Sequence, residues 1–469
     1  MRSLVLGMAA AIAAAMPFAA RAEQKTVPAG TTTTVAASDV ALWKDADIDF
    51  GAGATLWFEE PDAHAVFTGK ITGSGNFVAN SAVTTAAPKE FKLSGDATDF
   101  TGGFFYTNVR MNASSPTAVG SSAKITIHVV YNTGNGARSN FMGSGSGKPD
   151  YVYNNPMDIY IGPNNGLVVN ARAVLAGDIV HHYGVIHGPG KITGKITTYA
   201  NSLSFADNIR VEGACKATVA GAKIANSGVV YLKGATDGFS QLSAINCYNP
   251  IYLEGDNLFG ENVVLQMGES FTGTGNHSGR LELNGHSQVF KKVVFKTTPE
   301  EELKNVGGIG NSGAPATVTF INNDVIQWFM GRFDGHLSVC ISGEKMFGFS
   351  VPTNTMDGTI TALGAKNVVI NGCWPKLKGI ASREGGFVDI RATAIFNPKL
   401  DTIDIDDTST VKVANGLTVT VRRLRIDGVD VPIGIYDKDT TGPTSGHFDS
   451  FGSGKIVVTG VPGTIVSVW

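Results

Sequence analysis

The chain has 469 residues, of which 58 are glycine and only 16% are charged, and its formal net charge is −3. An average globular chain has about 25% charged residues and about 7% glycine. With 43% hydrophobic residues the chain can fill a core, which excludes a disordered protein. Glycine without a three-residue period excludes collagen, and the lack of a basic excess argues against a nucleic-acid partner.

The chain opens with MRSLVLGMAAAIAAAMPFAARAEQ. Arg2 supplies a positive start, residues 4–20 are apolar, and Ala20-Arg21-Ala22 fits a small-x-small cleavage site. Residues 1–22 therefore read as a signal peptide, and the apolar run is short for a membrane span. The expected location is outside the cytoplasm of a bacterium: extracellular, at the cell surface or in the periplasm. No later stretch has 18 uninterrupted apolar residues, so no transmembrane segment is expected in the mature chain.

Short strand signals follow in order: 123–131 (AKITIHVVY), 166–170 (GLVVN), 229–232 (VVYL), 250–253 (PIYL), 263–266 (VVLQ), 317–321 (TVTFI), 367–370 (NVVI) and 455–459 (KIVVT). Each is closed by Gly, Asn, Asp, Ser or Pro, the turn formers. One helical turn or two is expected over 298–304, with Thr298 as cap and Pro299 at the first position. The chain then divides into a solenoid part over 23–296, a loop or short helix over 297–312, and a second solenoid part over 313–469.

Short themes recur. The segment 66–78 (VFTGKITGSGNFV) returns loosely at 188–196 (GPGKITGKI) and in part at 452–458 (GSGKIVV). A second theme, 91–100 (FKLSGDATDF), returns at 230–239 (VYLKGATDGF), and a third begins at 281–285 (LELNG). Each is strand, glycine or asparagine turn, strand, too short to bury a face alone. Stacking such units buries a continuous core. The expected fold is all-β: a right-handed parallel β-helix, or β-solenoid, with irregular loops and coils of roughly 18–25 residues. Coil corners would use glycine for positive φ. A β-sandwich or jelly roll is the rival, because Asn-Gly and Asp-Gly pairs such as 284–285, 371–372 and 427–428 also suit hairpins.

The themes together resemble the autotransporter-associated β-strand repeat of secreted and surface passenger proteins. Residues 71–78 (ITGSGNFV) resemble its opening, 93–103 (LSGDATDFTGG) its core, 117–127 (TAVGSSAKITI) its closing segment and 281–285 its "LDLNG" phrase. The resemblance implies an exported parallel β-helix with a structural or adhesive surface role. It implies no catalytic site.

Candidate chemistry is sparse. His181 and His187 lie close together in IVHHYGVIHG and could bind a metal, although in a strand His181 and its neighbour His182 point to opposite faces. Asp404 and Asp406 share one strand face, which would suit calcium or an acid–base pair. Arg423 and Arg425 share another and, with the two aspartates aligned on an adjacent coil, would imitate a polysaccharide lyase. The plainer expectation for all of these is a polar strand face. Cys215 and Cys247, and Cys340 and Cys373, are spaced for two local disulfides, or are four buried thiols. Trp43, Trp57, Trp328, Trp374, Tyr151 and Tyr153 are candidates for sugar stacking, with most expected in the core. The resulting expectation is a non-catalytic surface protein with a structural or adhesive role, its partners surface glycans or other extracellular polymers. It requires no cofactor, with calcium as the ion the aspartates would suit. The alternative is a carbohydrate-active or carbohydrate-binding β-helix.

Overall fold

A computed structural model describes residues 22–59, 64–81, 89–129, 138–162, 166–245, 248–268, 279–295, 307–349, 353–391, 394–396, 400–442, 444–449 and 452–460. The chain is a β-solenoid of about 17 turns, 54% strand and 2% helix. All eight strand signals fall on strands, from Lys124–Val129 to Lys455–Val458. The expected helix at 298–304 and Cys247 lie outside the described residues. A 3-10 turn at Ala37–Leu42, which carries no cap signal, packs Val40 inward near the first coils.

One coil illustrates the rest. Ala173–Leu175 lies in an 18-stranded sheet, Ile179–Tyr183 in a 10-stranded sheet and Val185–His187 in an 11-stranded sheet, before Lys191–Ile192 returns to the first. Each strand pairs in parallel with its counterpart one coil on, as in Ile179↔Ile196 and Ile196↔Cys215. The rival sandwich would need antiparallel hairpins throughout. Antiparallel pairing is confined, among the described strands, to the C-terminal end. There Val429–Asp430 returns against Thr418–Ile426, and Gly434–Tyr436 against Lys455–Val458. That return covers part of an edge that would otherwise be a template for another chain. The 18-stranded sheet has strands on both sides of 297–312, and the strand Gly308–Ile321 begins inside that segment. Among the described residues no helix is long and apolar enough to cross a membrane.

Alternation packs the inside. Ile125, Ile127 and Val129 are buried on one strand, and Met157, Ile159 and Ile161 on the next. Phe58, Phe67, Phe77 and Phe91 fill the N-terminal coils with ring centroids 5.1–5.4 Å apart. Asn155 plugs a corner, its side-chain amide donating to Val119, Gly120 and Ala123 carbonyls at 3.2, 2.8 and 2.9 Å.

Glycine serves two purposes at the corners. Gly184 and Gly188 do have positive φ, at 109° and 100°. Gly177, Gly194, Gly213 and Gly234 do not; they stack at one corner of successive coils. A Cβ on Gly194 would lie 2.1 Å from the Gly177 oxygen, and one on Gly213 1.9 Å from the Gly194 oxygen. Here glycine is required for close backbone approach rather than for an unusual dihedral.

Of the two readings open for the cysteines, the three described ones are free thiols, Cys215 buried and Cys340 and Cys373 half-buried. Cys340 sits on the 18-stranded sheet and Cys373 on a separate two-stranded one, so residue spacing does not bring them together. Cys215 is buried, and burial pushes its thiol up to about 12.

Two stability effects follow. Gly194→Ala is expected to cost about 2–4 kcal/mol in chemical denaturation, because rigid backbone must move to admit the methyl; an unchanged midpoint would refute the stack. Tyr106 is fully buried, and its hydroxyl has no hydrogen-bond partner among the described residues. Tyr106→Phe is therefore expected to stabilise the fold by about 1 kcal/mol, read as a higher melting temperature.

Candidate functional site: a bulge-held histidine–tyrosine cleft

A surface cleft lies on the outside of the 10-stranded sheet. Strands Lys124–Val129 and Met157–Ile161 turn Thr126, His128, Asp158 and Tyr160 outward while their aliphatic residues face the core. The next strand, Ile179–Tyr183, breaks the alternation. Val180 pairs with Asp158 and His181 with Ile159, but Tyr160 pairs with Tyr183. His182 is the extra residue of a β-bulge, a device that re-aims side chains. As a result both His182 and Tyr183 are directed away from the core, and Tyr183 is 44% exposed.

His181 holds the bulge from inside. It is 1% exposed, with Nε2 3.1 Å from the Gly184 oxygen and Nδ1 3.0 Å from Thr198 Oγ1. The Gly184 oxygen can only accept, so a neutral imidazole carries its proton on Nε2 and accepts at Nδ1 from the Thr198 hydroxyl. Thr198 Oγ1 accepts in turn from the Ala200 amide at 3.1 Å. Burial pushes the His181 pKa down to about 4; the Gly184 carbonyl opposes this and neighbouring His182 adds to it.

The outer groups form a column. His128 meets Tyr160 edge-on with centroids 4.8 Å apart, Tyr160 and His182 lie 6.4 Å apart, and His182 stacks on Tyr199 at 5.2 Å. His182 Nε2 is 3.1 Å from Asp158 Oδ1, and Lys124 Nζ is 3.4 Å from Asp158 Oδ2. Thr126, Ile127, His128, Asp158, Tyr160 and His182 line an open cleft of about 440 Å³. That size is within the range of small-ligand sites. Apolar ring surface beside a carboxylate and imidazole nitrogens can pack against a C–H face while hydrogen-bonding hydroxyls.

The sequence candidates are placed differently. His187 lies on the 11-stranded sheet, not beside His181, and its Nδ1 is 2.9 Å from Asp207. Burial lowers its pKa despite that carboxylate. Among the described residues no three His, Cys, Asp or Glu side chains are grouped to hold a metal. Asp404 aligns with Arg425 on the adjacent coil, at 3.7 Å, and also pairs with Arg383. Arg423 stands opposite Thr402 instead. Asp406 lies beyond the strand end, where it accepts from the Glu384 amide at 2.5 Å and from the Thr408 amide and hydroxyl at 3.2 and 3.0 Å. Burial raises its pKa, but bonds from Ser409, Glu384 and Thr408 outweigh this and lower it. The two aspartates therefore serve different local partners.

A second outer column, on the 18-stranded sheet, is closed on itself. Arg210 covers Tyr231 at 4.7 Å and pairs with Glu254, and Tyr231 stacks on Tyr252 at 5.0 Å. Arg280 reaches across Gly310 to Asp334, at 2.7 and 2.8 Å, while also holding Glu282.

His128, Asp158, Tyr160 and Tyr199 belong to no recognisable motif in the sequence. The available signal was their outward position in IHV, DIY and TTYA. Comparison with known proteins finds no matching family model, no matching curated protein and no matching solved structure.

The pKa of His181 gives this site a measurable signature. The unfolded chain takes up the proton near the ordinary histidine value of about 6.5, the folded chain only near 4, so stability falls as pH drops through that window. The loss approaches about 3 kcal/mol on complete titration. His181→Leu is expected to flatten this acid-side slope in denaturation midpoints from pH 7 to 4; an unchanged slope would exclude a buried neutral His181.

Proposed function

We propose that the protein is exported and acts at the cell surface as a non-catalytic β-solenoid with an adhesive role, using the histidine–tyrosine cleft to contact extracellular glycans. The observation that carries this reading is the bulge between Ile159 and Tyr160 of one strand and His181–Tyr183 of the next, which sets exposed rings around Asp158. A stiff stack of parallel coils keeps such a contact in fixed geometry, and repeated weak contacts on a surface add through multivalency. The leader-like start and the resemblance to autotransporter-associated repeats support export. A lyase or hydrolase reading gains no support from Asp404, Asp406, Arg423 and Arg425, since the aspartates are engaged in ion pairing and turn hydrogen bonds.

A glycan array probed with the mature protein, with and without calcium, tests this proposal. Binding is expected, and His182→Ala and Tyr199→Ala are each expected to weaken it about tenfold, the loss of one packed polar or stacking contact, with melting temperatures near wild type. Binding unaffected by either variant, or no binding to any glycan, would reject the cleft as the contact. Binding that requires calcium would likewise reject the cleft as the contact, since the cleft holds no group of carboxylates.

A further inference from the structure

A different ring stands apart from this cleft. Gln327–Phe329 is the first strand of a five-stranded sheet, and the middle residue of Phe347–Phe349 is its register partner on the next coil. Gln327 and Phe329 face the core, while Trp328 faces out and is 40% exposed. Side chains normally stand upright from a sheet. Trp328 leans over instead: a Cβ on Gly348 would lie 2.4 Å from both Cε3 and Cζ3 and 3.0 Å from Cδ2. The six-membered part of the indole therefore lies over the bare backbone of Gly348 on one side, and the residue stays 40% exposed.

The surroundings combine apolar and charged groups. Ile326, two residues earlier, is 64% exposed. Asp324 receives Lys291 at 3.2 Å and Lys292 at 3.3 Å, and these two ammonium groups lower its pKa. The Val293 amide donates to Gln327 Oε1 at 3.4 Å, which sets Lys292 on the neighbouring strand beside Trp328, and these two lysines and Asp324 together carry one net positive charge.

We infer that Trp328, lying on Gly348, is a stacking platform for a pyranose ring of an acidic polysaccharide. A partly exposed indole offers its π-surface to the C–H face of a sugar, and the lysine rim favours a carboxylate on that sugar over a neutral one. This inference does not rest on the histidine–tyrosine cleft, which occupies another sheet several coils away.

The test uses the mature protein with two probes, oligogalacturonate of about six residues as the acidic ligand and cellohexaose as the neutral one, followed by tryptophan fluorescence and calorimetry. Oligogalacturonate is expected to change the fluorescence and to bind more tightly than cellohexaose, with the difference shrinking as salt screens the rim. Trp328→Ala is expected to abolish the fluorescence response and reduce binding at least tenfold. Gly348→Ala, which lifts the ring without removing it, is expected to weaken binding in the same direction. The fluorescence response lost in Trp328→Ala reports this platform rather than the cleft, so failure of the cleft proposal and failure of this one are distinguishable. Lys291→Ala combined with Lys292→Ala is expected to remove the acidic preference alone. Equal binding by wild type and a folded Trp328→Ala, or binding of neither probe at millimolar concentration, would overturn the platform; a preference for cellohexaose would overturn the acidic assignment.

Discussion

The structure depends on how closely one coil can lie on the next. Parallel strands sit about 4.8 Å apart, and the corners must keep that spacing as well as the strands. At the corner built from Gly177, Gly194, Gly213 and Gly234, a side chain would meet a carbonyl of the preceding coil at about half a normal contact distance. Removing the Cβ lets the corners stack in register with the sheets. Register then follows along each face, so that inward positions remain Ile, Val, Leu and Phe, and outward positions form columns. The columns of tyrosine, histidine and ion pairs are consequences of this one constraint.

Because register is so strongly imposed, a local departure from it has a large effect. Inserting His182 into one strand shifts only the pairing beyond Ile159. The cost is an interrupted ladder and two successive residues that must leave the core face. His181 offsets part of that cost by tying Thr198 on the next coil to the Gly184 carbonyl just past the bulge. The result is a wedge between Tyr160 and His182 in an otherwise close-stacked column. A protein that stacks side chains in continuous ladders has few surface depressions, and an interruption of the ladder is one of the few ways to make one.

Much of the architecture could be read from the sequence, and the reasons are local. Runs such as 123–131 and 455–459 carry period-two patterning with turn formers at their ends, and strands Lys124–Val129 and Lys455–Val458 lie within them. His181 and His182 do point to opposite sides, since alternation holds up to that residue. Alternation could not show that Tyr183 would follow His182 outward, because the bulge is defined by the neighbouring strand. The glycine excess signalled tight corners, but dihedral reasoning alone missed the corner stack, which exists only between coils. Asp404 and Arg425 did align across coils, whereas Asp406 was assigned to the same face by extending a strand that ends at Ile405. The cysteine spacings of roughly one coil or more suggested pairs, but residues a coil apart can occupy different sheets, as Cys340 and Cys373 do.

The low charge content, finally, determines what kind of surface this solenoid can offer. Among the described residues many charged side chains are already engaged with charges of opposite sign, as in Arg280 with Glu282 and Asp334 or Lys124 with Asp158. Such pairs stabilise only weakly when exposed, but they keep a column of like charges from repelling itself one coil apart. Recognition by long-range steering is therefore a poor fit to a chain with net charge −3. Short-range contact through rings and hydroxyls is the better fit, because it needs position more than charge, and fixed position is what a stacked coil provides.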